Sequence, residues 1–175
     1  MRLPRYLKED QIELAFAPEL PPRPEEGEAD APHPDRVKWN EREAVLDALV
    51  VLLERSGAVA NRRKLLADLV NRERKATTGL GRGIALPHVR TPNAKGFAIA
   101  VARAPEPGLE WDSVDGEPVR LFIAMVAPAY DDKFYVKVER DLAAAFASED
   151  DPFLDELLAA EESGEVVRLL SRVVS

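Results

Sequence analysis

The chain has 175 residues, with 24 basic against 32 acidic side chains, a formal net charge of −8 and no cysteine. Such a length buries an ordinary core without staples, and the missing thiols exclude disulfides, cysteine nucleophiles and thiolate metal sites. The acidic balance speaks against a phosphate-backbone binder, so no nucleic-acid partner is expected.

Arg2, Arg5, Lys8, Glu9 and Asp10 crowd the N-terminus, which is not the pattern of a secretory signal. The longest apolar stretches, residues 45–53 and 121–129, have nine residues each, against the roughly 20 that a bilayer-spanning helix needs. A cytoplasmic chain without membrane insertion is therefore expected. A short apolar patch (Ile12, Leu14, Phe16) precedes residues 18–36, of which six are proline, six acidic and only two basic. This composition predicts an extended or mobile loop, so the chain divides into residues 1–40, an N-terminal element plus acidic loop, and residues 41–175, the main body. His33 lies in the loop with no ligand-like neighbours, which reads as a solvated histidine.

The body opens with a capping-box pattern, Asn40 with Glu43, followed by Ala44, Val45, Ala48, Leu49, Leu52 and Leu53 on one helical face. Ser56-Gly57 ends that helix, and a second is predicted over 62–74 with Leu65, Leu66, Leu69 and Val70 inward. Strands are predicted at 83–86 and 97–103, separated by Thr91-Pro92-Asn93, and at 119–126 after an Asp115-Gly116 turn. Helices over 132–147, 152–159 and 164–173 follow, the last capped by Ser163. Helices on both sides of a run of strands predict a layered α/β domain.

Residues 72–90 concentrate the candidate chemistry. Gly79, Gly81 and Gly83 alternate, which lets bare backbone N–H groups line an anion, although the same pattern serves a turn leading into a strand. Neither a dinucleotide fingerprint nor a nucleotide P-loop is present. Pro87 restricts the backbone before His88, and imidazole is a nucleophile near neutral pH that accepts a phosphoryl group without a separate base. Two histidines without cysteine offer no zinc set, and no Gly-x-Ser-x-Gly elbow is present, so neither a metal nor another cofactor is expected.

Arg72-Glu73, Thr77-Thr78-Gly79 and Gly81-x-Gly83-Ile84-Ala85-Leu86-Pro87-His88 together resemble the enzyme IIA domain of the fructose–mannitol family of the bacterial phosphoenolpyruvate-dependent phosphotransferase system, which includes nitrogen-regulatory IIA proteins. The resemblance runs from Arg42 to about Val173, with further support from Trp111, Asp115-Gly116 and Pro128. It implies a central mixed β-sheet with helices on both faces. It also implies that His88 takes a phosphoryl group from the carrier HPr and passes it to a IIB domain or a regulatory target. Arg72 falls on the family's active-site arginine, whose guanidinium would meet the phosphoryl oxygens. Thr77 and Thr78 would donate hydroxyl hydrogen bonds there, or close the turn.

Many members carry a second histidine at the start of the helix after the Pro128 strand end, where this chain reads Lys133-Phe134-Tyr135-Val136-Lys137. Tyr135 stands at or next to that position, and a phenol cannot become a cation. Two functions follow: a phosphohistidine carrier, hence a phosphotransferase component, regulatory rather than part of a dedicated sugar transporter because the chain ends after the IIA unit; or a non-catalytic IIA-like binding module.

Overall fold

A computed structural model describes residues 2–130 and 133–174. Among the described residues six strands form one mixed sheet: β1 (Ile12–Glu13), β2 (Gly79–Gly81), β3 (Ile84–Ala85), β4 (His88–Arg90), β5 (Ala98–Arg103) and β6 (Leu121–Ala127). The order is β1-β5-β6-β3-β2, with β4 also pairing β6. β6 runs antiparallel to β5 and parallel to β3 and β4, while β1 joins β5 in parallel. Five helices flank the sheet: α1 (Pro34–Glu54), α2 (Arg62–Lys75), α3 (Lys133–Ala147), α4 (Phe153–Ala159) and α5 (Ser163–Val173). This is the α/β class with a mixed central sheet that the sequence predicts.

Strand side chains alternate between faces, and β5 uses the period to separate sizes. Ala98, Ala100 and Ala102 face α1 and α2, where small side chains admit Val45, Leu46, Leu49 and Leu53 of α1 and Leu65 and Leu69 of α2. Ile99 and Val101 face the other layer, with Val138 and Leu142 of α3, Leu157 of α4 and Leu170 of α5. β6 is buried along its whole length and Leu49 completely, so truncating Leu49 to alanine costs about 2–5 kcal/mol.

Two expectations about helix starts are corrected. The first helix starts at Pro34, not after Asn40: the His33 ring accepts the Asp35 N–H at 3.2 Å, and proline at the first turn loses no helical bond. The Asn40/Glu43 pair therefore lies within the helix, and residue 40, taken as the division between N-terminal element and body, falls inside α1. Glu162, rather than Ser163, stands at the N-cap of α5. The predicted helix start at residues 131–132 lies outside the described residues.

The N-terminal segment is built into the sheet rather than appended to it. Leu3, Leu7 and Ile12 are buried in one core and Phe16 in the other, and the buried Gln11 side chain donates to the Tyr6 and Ile99 carbonyls at 2.8 Å each. The acidic segment carries no helix or strand until Pro34, yet it is tethered: Arg23 spans Glu41 at 2.5 Å and Glu110 at 2.8 Å. α1 ends at Glu54, and the turn that follows carries Gly57 at a positive φ of 77°, which suits glycine.

Candidate phosphoacceptor site

The site begins with the break that Pro87 introduces between β3 and β4, both of which pair with β6. Pro87 has no N–H to give, and its carbonyl accepts the Met125 N–H at 2.9 Å, so the chain stays docked on β6 while passing to His88. The His88 Nδ1 lies 2.6 Å from the Leu86 carbonyl oxygen. A carbonyl only accepts, so Nδ1 holds the proton and Nε2 is the nitrogen turned outward. The imidazole side chain is 16% exposed, neither sealed in the core nor free in solvent.

α2 brings the cation. Asp68 accepts the Thr91 hydroxyl at 2.5 Å and the Asn93 side-chain N–H at 2.7 Å, tying the turn after β4 to the helix one turn before Arg72. From there the Arg72 Nη2 reaches to 3.5 Å from the His88 Nε2, and its Nη1 donates to the Ala76 carbonyl at 2.9 Å. α3 supplies the opposite wall. Tyr135 places its ring centroid 6.1 Å from that of His88, and Glu139 places Oε1 3.0 Å from Nε2. Arg72, His88, Val89, Arg90, Tyr135, Val136 and Glu139 line an open hollow of about 340 Å³.

Burial, and secondarily the Glu139 carboxylate, push the Tyr135 phenol well above its ordinary value, with Arg90 and Arg72 pulling the other way. The phenol is therefore a neutral wall of the hollow, not an ionisable partner. Among the described residues no group of three or more histidine, cysteine, aspartate or glutamate side chains could hold a metal ion.

Of the residues singled out in the sequence, His88, Arg72 and Tyr135 come together. Thr77 and Thr78 do not line the hollow: Thr78 gives its N–H and hydroxyl to the buried Glu73 carboxylate at 2.8 and 2.7 Å, and the Thr77 hydroxyl points to Glu73 and to the Asp112 carbonyl. These contacts close the turn after α2, one of the two roles the sequence leaves open for them. The glycines depart in the same way. Gly79 packs against Ser113, and Gly81 and Gly83, at φ of 88° and 78°, shape a tight hairpin. The anion beside that hairpin is the chain's own: Asp115 accepts the Arg82 N–H at 2.8 Å. Glu139 is the residue that sequence reasoning missed, and its spacing of four from Tyr135 on one helix was the available signal.

Comparison with known proteins places the chain in a family. Residues 35–173 match the family model described as phosphoenolpyruvate-dependent sugar phosphotransferase system, EIIA 2, and the chain belongs to that family. A fructose-specific EIIA component of Haloferax volcanii is 32% identical over 133 residues, covering 76% of this chain and 84% of its own. The fructose-specific EIIABC component of Bacillus subtilis is 27% identical over 136 residues, and the match covers 78% of this chain but only 21% of that longer protein. The crystal structure of the nitrogen regulatory protein IIA-Ntr of Neisseria meningitidis superposes with a TM-score of 0.66 at 28% identity, covering 74% of this chain and 86% of its own. The Escherichia coli enzyme IIA for mannitol, solved in complex with phosphorylated enzyme IIB, shares the fold with a TM-score of 0.68 at 19% identity, covering 95% and 97% of the two chains. No described helix is long and apolar enough to cross a membrane.

Proposed function

We propose that this chain is a phosphohistidine carrier that accepts a phosphoryl group from HPr on Nε2 of His88 and passes it to a IIB domain or a regulatory target. The observation that carries the reading is the asymmetry of the ring. Nδ1 is engaged with the Leu86 carbonyl, while Nε2 faces the hollow with the Arg72 guanidinium 3.5 Å away. In transfer the Nε2 lone pair forms the new N–P bond as the donor's N–P bond breaks and its electron pair returns to the donor imidazole. Little else is required beyond alignment and charge compensation, which Arg72 supplies through charge-assisted hydrogen bonds. The likeness to a nitrogen regulatory protein supports a regulatory role, beside the likeness to fructose-specific components.

The test is incubation with phosphoenolpyruvate, enzyme I and HPr. Wild type should gain an acid-labile, base-stable phosphoryl label that His88→Ala lacks. A second reading, a IIA-like module that signals by binding alone, is favoured by the phenol of Tyr135 where the family often has an imidazole and by Glu139 standing on Nε2. An unlabelled but folded wild type would establish that second reading against the first.

A further inference from the structure

Glu139 makes the closest contact to the one ring atom free to react. Its Oε1 lies 3.0 Å from the His88 Nε2, whereas the nearest Arg72 nitrogen is at 3.5 Å. The carboxylate projects from α3, one turn beyond Tyr135, and its side chain is 35% exposed, so it has room to swing toward water. Nδ1 is taken by the Leu86 carbonyl, which leaves Nε2 as the only ring position open to phosphorus. A carboxylate oxygen thus stands where the incoming phosphoryl group must land.

We propose that Glu139 is a built-in cap on the phosphoacceptor nitrogen: it covers Nε2 in the resting protein and repels the phosphoryl group once that is attached, keeping occupancy of His88 low and onward transfer easy. The proposal rests on the phosphoacceptor reading of His88. When the ring is protonated the contact is an ion pair, and the proton on Nε2 blocks the lone pair. For transfer, that proton departs to solvent and the carboxylate swings away. The lone pair then bonds phosphorus while the donor's bond to phosphorus breaks, its electrons staying with the donor. In the product, a phosphoryl group bearing negative charge shares the hollow with the Glu139 carboxylate, which disfavours it, while Arg72 and Arg90 on the same hollow favour it. The balance between these charges sets how long the group stays.

Phosphoramidate, a small phosphoryl donor for imidazoles, tests this without a protein donor. Wild type, Glu139→Gln, Glu139→Ala and His88→Ala are each treated with it, and labelling is followed by intact mass and by phosphorus NMR, which distinguishes the two ring nitrogens. Both Glu139 variants should label at Nε2 roughly five- to tenfold faster than wild type and hydrolyse more slowly, with the gap narrowing in about 1 M salt. Alanine guards against a glutamine amide that itself covers Nε2, and circular dichroism checks the fold. Equal or slower labelling of both variants overturns the cap while leaving the phosphoacceptor reading intact. No label at His88 in wild type or in either Glu139 variant overturns both.

Discussion

Arg72 and Glu73 are neighbours at the end of α2 and serve two different faces of it. The Arg72 guanidinium reaches out to 3.5 Å from the His88 Nε2, while the Glu73 carboxylate turns inward to accept the Thr78 N–H at 2.8 Å, the Thr78 hydroxyl at 2.7 Å and the Trp111 indole N–H at 3.1 Å. Successive helical residues point about 100° apart, so one dipeptide supplies both the cation and its anchor. Glu73 is thus a positioning residue: it locks the helix end from which the cation projects.

Replacing Glu73 by alanine leaves the indole N–H and both Thr78 donors without their acceptor in a buried setting. The expected cost is about 2–4 kcal/mol, read from the urea unfolding midpoint, and Glu73→Gln should lose less because it keeps one oxygen. A change in Glu73→Ala smaller than about 1 kcal/mol would mean the carboxylate does not hold the turn.

The Arg72 guanidinium spends its hydrogen bonds on the Ala76 carbonyl at its own helix end and on the His88 Nε2, so its removal should reach transfer before it reaches stability. Arg72→Ala is expected to slow phosphorylation of His88 by about 10- to 100-fold, with Arg72→Lys in between because an ammonium lacks the planar fork. Initial labelling rates compared at matched folded concentration provide the measurement. Unchanged rates in both variants would remove the guanidinium from the reaction.

A long motif singles out His88 and Arg72, which the structure brings to 3.5 Å of each other, and apolar periodicity made the layered α/β class legible. Side-chain direction was another matter. From the sequence Thr77 and Thr78 could give their hydroxyls to a phosphoryl group or close a turn, and only packing shows that Glu73 and Asp112 claim those hydroxyls. Glu139 escaped because a lone glutamate in a charged helix looks like a solvated face, and its meeting with His88 depends on how α3 lies against β6. The start of α1 was misread because Asn40 and Glu43 satisfy a local capping rule, while the actual start at Pro34 sits in a segment whose composition suggested a loop. The parallel pairing of β1 with β5 joins residues about ninety positions apart, a link that no local pattern encodes.

Gly81 tests what the glycines do. Its φ of 88° and a hypothetical Cβ only 3.2 Å from the Asp115 Oδ2 make alanine strained there. Gly81→Ala should cost about 1–2 kcal/mol of stability without slowing His88 labelling in the folded fraction, because the residue shapes a hairpin away from the hollow. A specific loss of labelling at full stability would return the glycines to the phosphoryl site.

Asp115 gives the same hairpin a pH dependence. The Arg82 and Glu117 N–H groups hold its carboxyl below the usual carboxylate range. A depressed native value stabilises the fold above the unfolded value of about 4, and that contribution fades as the pH falls through the native one. The Arg82 amide resonance should therefore shift on acidification below about pH 4, and Asp115→Asn should abolish that titration. An Arg82 shift that persists unchanged in Asp115→Asn would detach the hairpin from this carboxyl.

Tyr135 works in the opposite pH range. Burial, then the nearby Glu139 charge, raise its phenol above the ordinary value of 10.0. The unfolded chain consequently ionises first as the pH climbs past that value, so stability present below it is lost above it. Tyr135→Phe should flatten this share of the alkaline decline when denaturation midpoints are compared from about pH 8 to about pH 11. It should leave His88 labelling near neutral pH unchanged, because the phenol is neutral there in any case. Tyr135→His, by contrast, introduces an imidazole that can carry charge beside the phosphoryl group, and labelling is expected to rise several-fold with a new dependence near pH of about 6.5. Should the phenylalanine variant lose labelling while the histidine variant gains none, the hydroxyl itself would be the working group and the comparison of phenol with imidazole would be mistaken.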